Sequence, residues 1–146
     1  MTTFGAKTKA GFVKAYIEAL GFVECDAAPG TWFEKAEHCE IVIAACHSEY
    51  PQGFGRTEVI NAAALLGARW RTTEQLHRDA EIEVEHLLAD IEAKRQAGGL
   101  KKVNAEYKSY RIAQLSRSEP AVPYSTYFAN FVRTVIRLAA QEKRSV

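Results

Sequence analysis

The strongest constraint on this chain is the spacing of Leu76, Ala80, Val84, Leu87 and Ile91. These residues recur every three or four positions over about four turns, which winds them onto one stripe of an α-helix rather than one face of a strand. Charged side chains fill most of the remaining positions, so this helix meets water on one side and must find apolar partners on the other. The run stops at Ala97, Gly98 and Gly99, with Lys94 and Arg95 in the last turn, where cations favour the carbonyl end of the helix dipole. A helix this long needs other helices lying along it, and a bundle supplies them.

The rest of the chain offers such partners. Phe12, Val13, Tyr16, Ile17 and Leu20 repeat at helical steps, and Gly21 follows as a stop. Thr31 and Glu34 fit a capping box and predict a helix from Trp32. Within it Trp32, Ala36, Cys39, Ile43 and Cys46 step by 4, 3, 4 and 3 along one stripe. The rival reading takes "FVEC", "TWFEK" and "CEIVIAAC" as short strands, but their apolar residues do not alternate cleanly, which favours helix. "YPQGFG" (50–55) is a loop, and a helix over 57–66 ends at Gly67. Two more helices are expected over about 101–117 and 125–141, parted by "SEPAVP". The expected fold is all-α: a compact bundle of about six helices with one long central helix. At 146 residues it is expected to be a single domain with its own core, residues 1–146.

Several function classes find no support. No apolar run approaches the roughly 18 residues of a membrane span, and the N-terminal stretch lacks the uninterrupted apolar segment of a secretory signal. Cys25, Cys39 and Cys46 are odd in number and lack the paired short spacings of zinc sites, so they are expected to be structural thiols in a cytoplasmic protein. Glu74 with His77 and Glu83 with His86 form E-x-x-H pairs, but both lie on one helix, whereas bundle di-metal sites draw such pairs from different helices. "GFGR" is a lone G-x-G without the rest of a phosphate loop. No catalytic residue, metal ligand or cofactor is assigned, and the protein is expected to be non-enzymatic.

Charge supplies a direction. Residues 1–90 carry 8 Lys+Arg against 14 Asp+Glu, a balance of −6, while residues 91–146 carry 11 against 4, a balance of +7. A basic half suits a polyanion, and an acidic half suits a basic partner or the basic half of another copy. In the basic part Lys101, Lys102, Lys108 and Arg111 interleave with Tyr107 and Tyr110. Further on, Arg133, Arg137, Lys143 and Arg144 follow Tyr124, Tyr127, Phe128 and Phe131. Cations neutralise phosphates and aromatic rings can stack on bases, although Phe128, Phe131, Val132, Val135 and Leu138 also fit a core stripe.

The stretch "TEVINAAALLGARWRTTEQLHR" (57–78) has Ala63 four residues before Gly67, Leu66 and Ala68 flanking that glycine, and Leu76 nine residues beyond it. It resembles the helix-turn-helix of small bacterial regulators. The resemblance makes Gly67 the turn and places Arg69, Arg71 and Thr72 at a phosphate-facing helix start. Glu74, Gln75 and Arg78 then fall on the reading helix, where Arg and Gln suit guanine and adenine edges. The pattern departs at Thr73, where a locking apolar residue belongs, and in the acidic run of Asp79, Glu81, Glu83 and Glu85. The expected function is nucleic-acid binding in an accessory or regulatory role. The alternative is a protein adaptor or inhibitor using the acidic 74–92 helix, and the charge asymmetry also allows a homo-oligomer.

Overall fold

The computed structural model describes residues 5–144; the outermost residues of the span read as one domain, 1–4 and 145–146, lie outside it. The element order is α1 (Ala6–Leu20), β1 (Val23–Glu24), β2 (Thr31–Phe33), α2 (Ala36–Glu49), α3 (Arg56–Leu66), β3 (Trp70–Thr72), α4 (Thr73–Gln96), α5 (Lys101–Ser116) and α6 (Tyr124–Arg144). Helix dominates, as expected, with α4 the longest element at 24 residues.

Two hydrophobic clusters organise the chain. In the first, Phe12, Val13 and Tyr16 of α1 meet Ala80, Val84, Leu88 and Ile91 of α4 and Phe128, Val132, Ile136 and Ala140 of α6, with Val103 of α5 at one end. The α4 stripe is the expected one, except that Leu88 is more buried than Leu87. On α6 Phe128 and Val132 are buried, Phe131 and Val135 are half-buried, and Leu138 remains 59% exposed. Ion pairs from Lys9 to Glu85 and from Lys143 to Glu83 (3.3 Å) tie α1 and α6 to the flanks of α4.

The second cluster packs Phe33 against Cys25, Ala28, Val42, Cys46, Val59 and Ala63. Here the helix expected from Trp32 is replaced by a strand. Thr31–Phe33 is the centre of a three-stranded antiparallel sheet, paired with Val23–Glu24 on one side and Trp70–Thr72 on the other. The physical reason is tertiary: β-branched and aromatic residues gain two pairing partners and bury Thr31 and Phe33 on one face. Gly30 precedes the strand at φ +85°, a left-handed turn that suits glycine. The helix that follows begins only at Ala36, so "CEIVIAAC" is helical while "TWF" is not.

The segment read as a helix-turn-helix holds two helices with a short strand between them. Gly67 does end α3 in the left-handed conformation (φ +70°), with Ala68 N–H donating to Ala63 O at 2.9 Å. The chain then passes through β3 before α4, which starts after Thr72, the expected helix start. A helix-turn-helix needs its two helices locked together by shared apolar residues. Here the buried residues of α3 belong to the second cluster, and Ala80, Val84, Leu88 and Ile91 of α4 belong to the first.

Candidate nucleic-acid interface

The sequence-selected polar residues fall into two groups. Arg69, Arg71, Thr72, Gln75 and Arg78 gather where β3 becomes α4, whereas Lys101, Lys102, Lys108 and Arg111 lie on α5, beyond the other end of α4. At about 1.5 Å per residue, the 24-residue α4 puts roughly 36 Å between those two ends. The two groups are therefore separate surfaces.

The β3–α4 corner is stiff because each link in it is hydrogen-bonded. Thr31, Trp32 and Phe33 pair with Thr72, Arg71 and Trp70 respectively. Thr72 then caps α4: its hydroxyl accepts from Gln75 N–H, and its own N–H donates to the Gln75 side-chain oxygen, both at 3.1 Å. Thr73 N–H donates to Gly30 O at 3.1 Å, and the indole N–H of Trp32 donates to the Thr73 hydroxyl at 2.8 Å. These bonds occupy the N–H groups of Thr72, Thr73 and Gln75, so the helix start is not the open phosphate cradle that its sequence suggests. Anion contact at this corner falls to the arginines.

Arg71 and Arg78 line a groove of about 440 Å³ together with Trp70, Gln75 and Asp79. Trp70 is half-buried and packs on the second cluster, which fixes the indole while leaving part of it at the surface. Arg71 donates from Nη1 to the backbone carbonyl of Trp70 at 3.0 Å, which restrains its guanidinium close to the strand. Arg69 and Arg78 are both exposed. The half-buried Trp70, the Arg71 and Arg78 guanidiniums and the Gln75 side chain can hold a phosphate with an adjoining planar group, against the opposing charge of Asp79 in the same lining. Trp70 is the member that sequence reading missed; its position depends on pairing with Phe33, which no local pattern announces.

The basic C-terminal third is used differently. Tyr107 lies 5.2 Å from Tyr124 and 5.0 Å from Tyr127 between ring centroids, and Tyr110 lies 5.2 Å from Tyr127. The Tyr107 hydroxyl donates to Val122 O (2.9 Å), and the Tyr110 hydroxyl accepts from Val122 N–H (3.1 Å). These rings pin α5 to the start of α6 and are not displayed as a base-stacking platform. Arg133 sits over the Phe12 ring at 5.8 Å and Lys143 pairs with Glu83, so two of the α6 cations serve the fold.

The cysteines group in the second cluster. Cys25 and Cys46 are buried, and Cys46 Sγ donates to Glu58 O at 3.7 Å. Burial, reinforced by the neighbouring Cys25 and by Asp26 and Glu40, pushes the Cys39 thiol up to about 11, which leaves it protonated and weakly nucleophilic near neutrality. Among the described residues no three His, Cys, Asp or Glu side chains are placed to hold a metal ion, and no helix is long and apolar enough to cross a membrane.

Comparison with protein-family models, with curated proteins and with solved structures finds no match.

Proposed function

We propose that this protein is a non-enzymatic nucleic-acid-binding accessory or regulatory protein whose phosphate-contacting surface is the β3–α4 corner. The observation that carries this assignment is the groove lined by Trp70, Arg71, Gln75 and Arg78 together with Asp79, with Arg69 exposed next to Trp70 in the chain. Guanidinium groups bind phosphate oxygens in a planar, bidentate way, and their release of counterions supplies most of the affinity for a polyanion. The acidic flank of α4 restrains how far a duplex can extend from the corner. Glu83 and Glu85, engaged by Lys143 and Lys9, present less net charge there than the sequence count implies.

The test is a salt titration of binding to labelled duplex DNA, single-stranded DNA and RNA. Replacing Arg69, Arg71 and Arg78 by Ala should weaken binding. Each lost contact should also flatten the slope of log K against log[salt] by roughly 0.9 for a duplex. Because Arg71 also bonds Trp70 O, the double variant Arg69→Gln/Arg78→Gln provides the same test with that hydrogen bond intact. Folded variants that keep the wild-type affinity and slope on all three nucleic acids would remove the basis for this function.

A further inference from the structure

Two surfaces outside the β3–α4 corner are complementary to each other. The outer face of α5 carries Lys101, Ala105, Lys108, Ile112 and Leu115, which step by 4, 3, 4 and 3 and are all exposed. Ile112 and Leu115 are 57% and 67% exposed, high values for aliphatic side chains three residues apart on one helix. The opposite face of α5 is already engaged through Val103, Tyr107 and Tyr110. This helix thus has a second, unpartnered stripe that is both apolar and cationic.

The second surface is a groove of about 520 Å³ between β1 and α2. It is lined by apolar Val23 and Ala27 on one side and Ile43 and Ala44 on α2, and by the carboxylates of Glu24, Asp26 and Glu40. On α2 the lining residues Ala36, Glu40, Ile43 and His47 step by 4, 3 and 4, so they form one helix face. That face spans about 17 Å at 1.5 Å per residue, and the α5 stripe spans about 21 Å. Alanines along the groove permit close approach of another helix. Cations lie along the helix stripe and carboxylates along the groove.

We propose that α5 of one copy seats in the β1–α2 groove of a second copy, so that the chain assembles with itself. Ile112 and Leu115 supply the apolar anchor, while Lys101 and Lys108 face Asp26 and Glu40. A polyanion on α5 would leave Ile112 and Leu115 in water and the groove empty. A membrane surface would receive only two large apolar residues from this stripe, a small anchor for an interfacial helix. A second copy satisfies both surfaces at once. Because helix and groove are different patches, the contact is heterologous: it closes when two copies exchange α5 reciprocally and otherwise propagates.

The experiment is sedimentation velocity on the full chain from micromolar to submillimolar concentration, at low and high salt. Wild type should self-associate, less at high salt. Ile112→Asp/Leu115→Asp damages only the helix, and Ala44→Arg damages only the groove; Ile112, Leu115 and Ala44 are all exposed, and retained helicity is checked by circular dichroism. Each variant should associate at least about tenfold more weakly than wild type. Mixing the two restores one intact contact, the α5 of the groove variant in the groove of the helix variant, and should yield a heterodimer. Cys39, in the groove lining, should also be protected from a thiol reagent as wild-type concentration rises, and not in the helix variant. A wild type that stays monomeric overturns the proposal, as do variants that associate like wild type or a mixture that associates no better than its parts. A monomer whose α5 binds anionic vesicles would reassign the stripe to lipid.

Discussion

Thr31→Val should stabilise this protein, against the usual direction of core substitutions. Thr31 is 0% exposed at the centre of the sheet. Its backbone is satisfied, the N–H donating to Ala28 O at 3.1 Å and the carbonyl accepting from Cys25 N–H at 2.9 Å, but its hydroxyl oxygen has no hydrogen-bond partner. A buried hydroxyl left unpaired costs about 1–3 kcal/mol, and valine replaces it with a methyl group of similar shape on the same β-branched frame. The methyl is slightly larger than the oxygen, and overpacking returns part of that gain. The net expectation is about 1 kcal/mol of added stability, or roughly 3 °C in Tm for a chain of this size. In urea the midpoint should rise with the m-value unchanged. Thr31→Ser keeps the orphaned hydroxyl and loses the methyl, and should cost about 1 kcal/mol. A T31V protein less stable than wild type would refute the reasoning, because the hydroxyl would then be contributing a bond.

Two further outcomes follow from the same geometry. Thr72→Ala removes the α4 cap and should cost about 1 kcal/mol in urea unfolding, with Gln75→Ala costing less because the Thr72 hydroxyl still accepts from the Gln75 backbone N–H. An uncharged thiol reagent should label Cys39 at a rate that keeps climbing about tenfold per pH unit past the ordinary thiol value of 9.0 towards 11, since only the thiolate reacts and burial chiefly favours the thiol; a rate that levels off near 9.0 would contradict the raised value.

The helices were legible because their information is local. Leu76, Ala80, Val84 and Ile91 declare α4 within its own sequence, and Gly67 ends α3 where a residue tolerant of positive φ stands. The sheet was not legible for the opposite reason. Thr31–Phe33 is three residues long, and one of its partners, Trp70–Thr72, lies about forty positions away. A local capping pattern at Thr31 and Glu34 could not register that pairing. The corner shows both cases. Arg69, Arg71, Thr72, Gln75 and Arg78 could be selected as polar and basic residues at a helix start. That Thr72 and Gln75 would satisfy each other, and that Trp70 would wall the groove, depended on the sheet. The tyrosines of α5 and α6 could be seen to alternate with cations, but their ring-to-ring packing is a property of how the two helices cross.

Thr72 joins the two hydrophobic clusters. It is the last residue of β3, paired with Thr31, and also the N-cap of α4, so strand passes into helix with no intervening loop. The strand side is anchored in the second hydrophobic cluster through Phe33 and Trp70, and the helix side in the first through Ala80 and Val84. A displacement of one cluster relative to the other must therefore strain the Thr72–Gln75 cap or the Thr73–Gly30 bond. Arg71 is carried by the strand and Arg78 by the helix two turns on, so their separation is set by that junction and not by side-chain flexibility alone. Cations held at a fixed spacing on rigid elements lose less entropy on meeting a phosphate backbone than cations on a mobile loop. The same rigidity makes the cap a control for binding: T72A keeps every arginine, so any affinity it loses measures what the junction contributes to holding them in place.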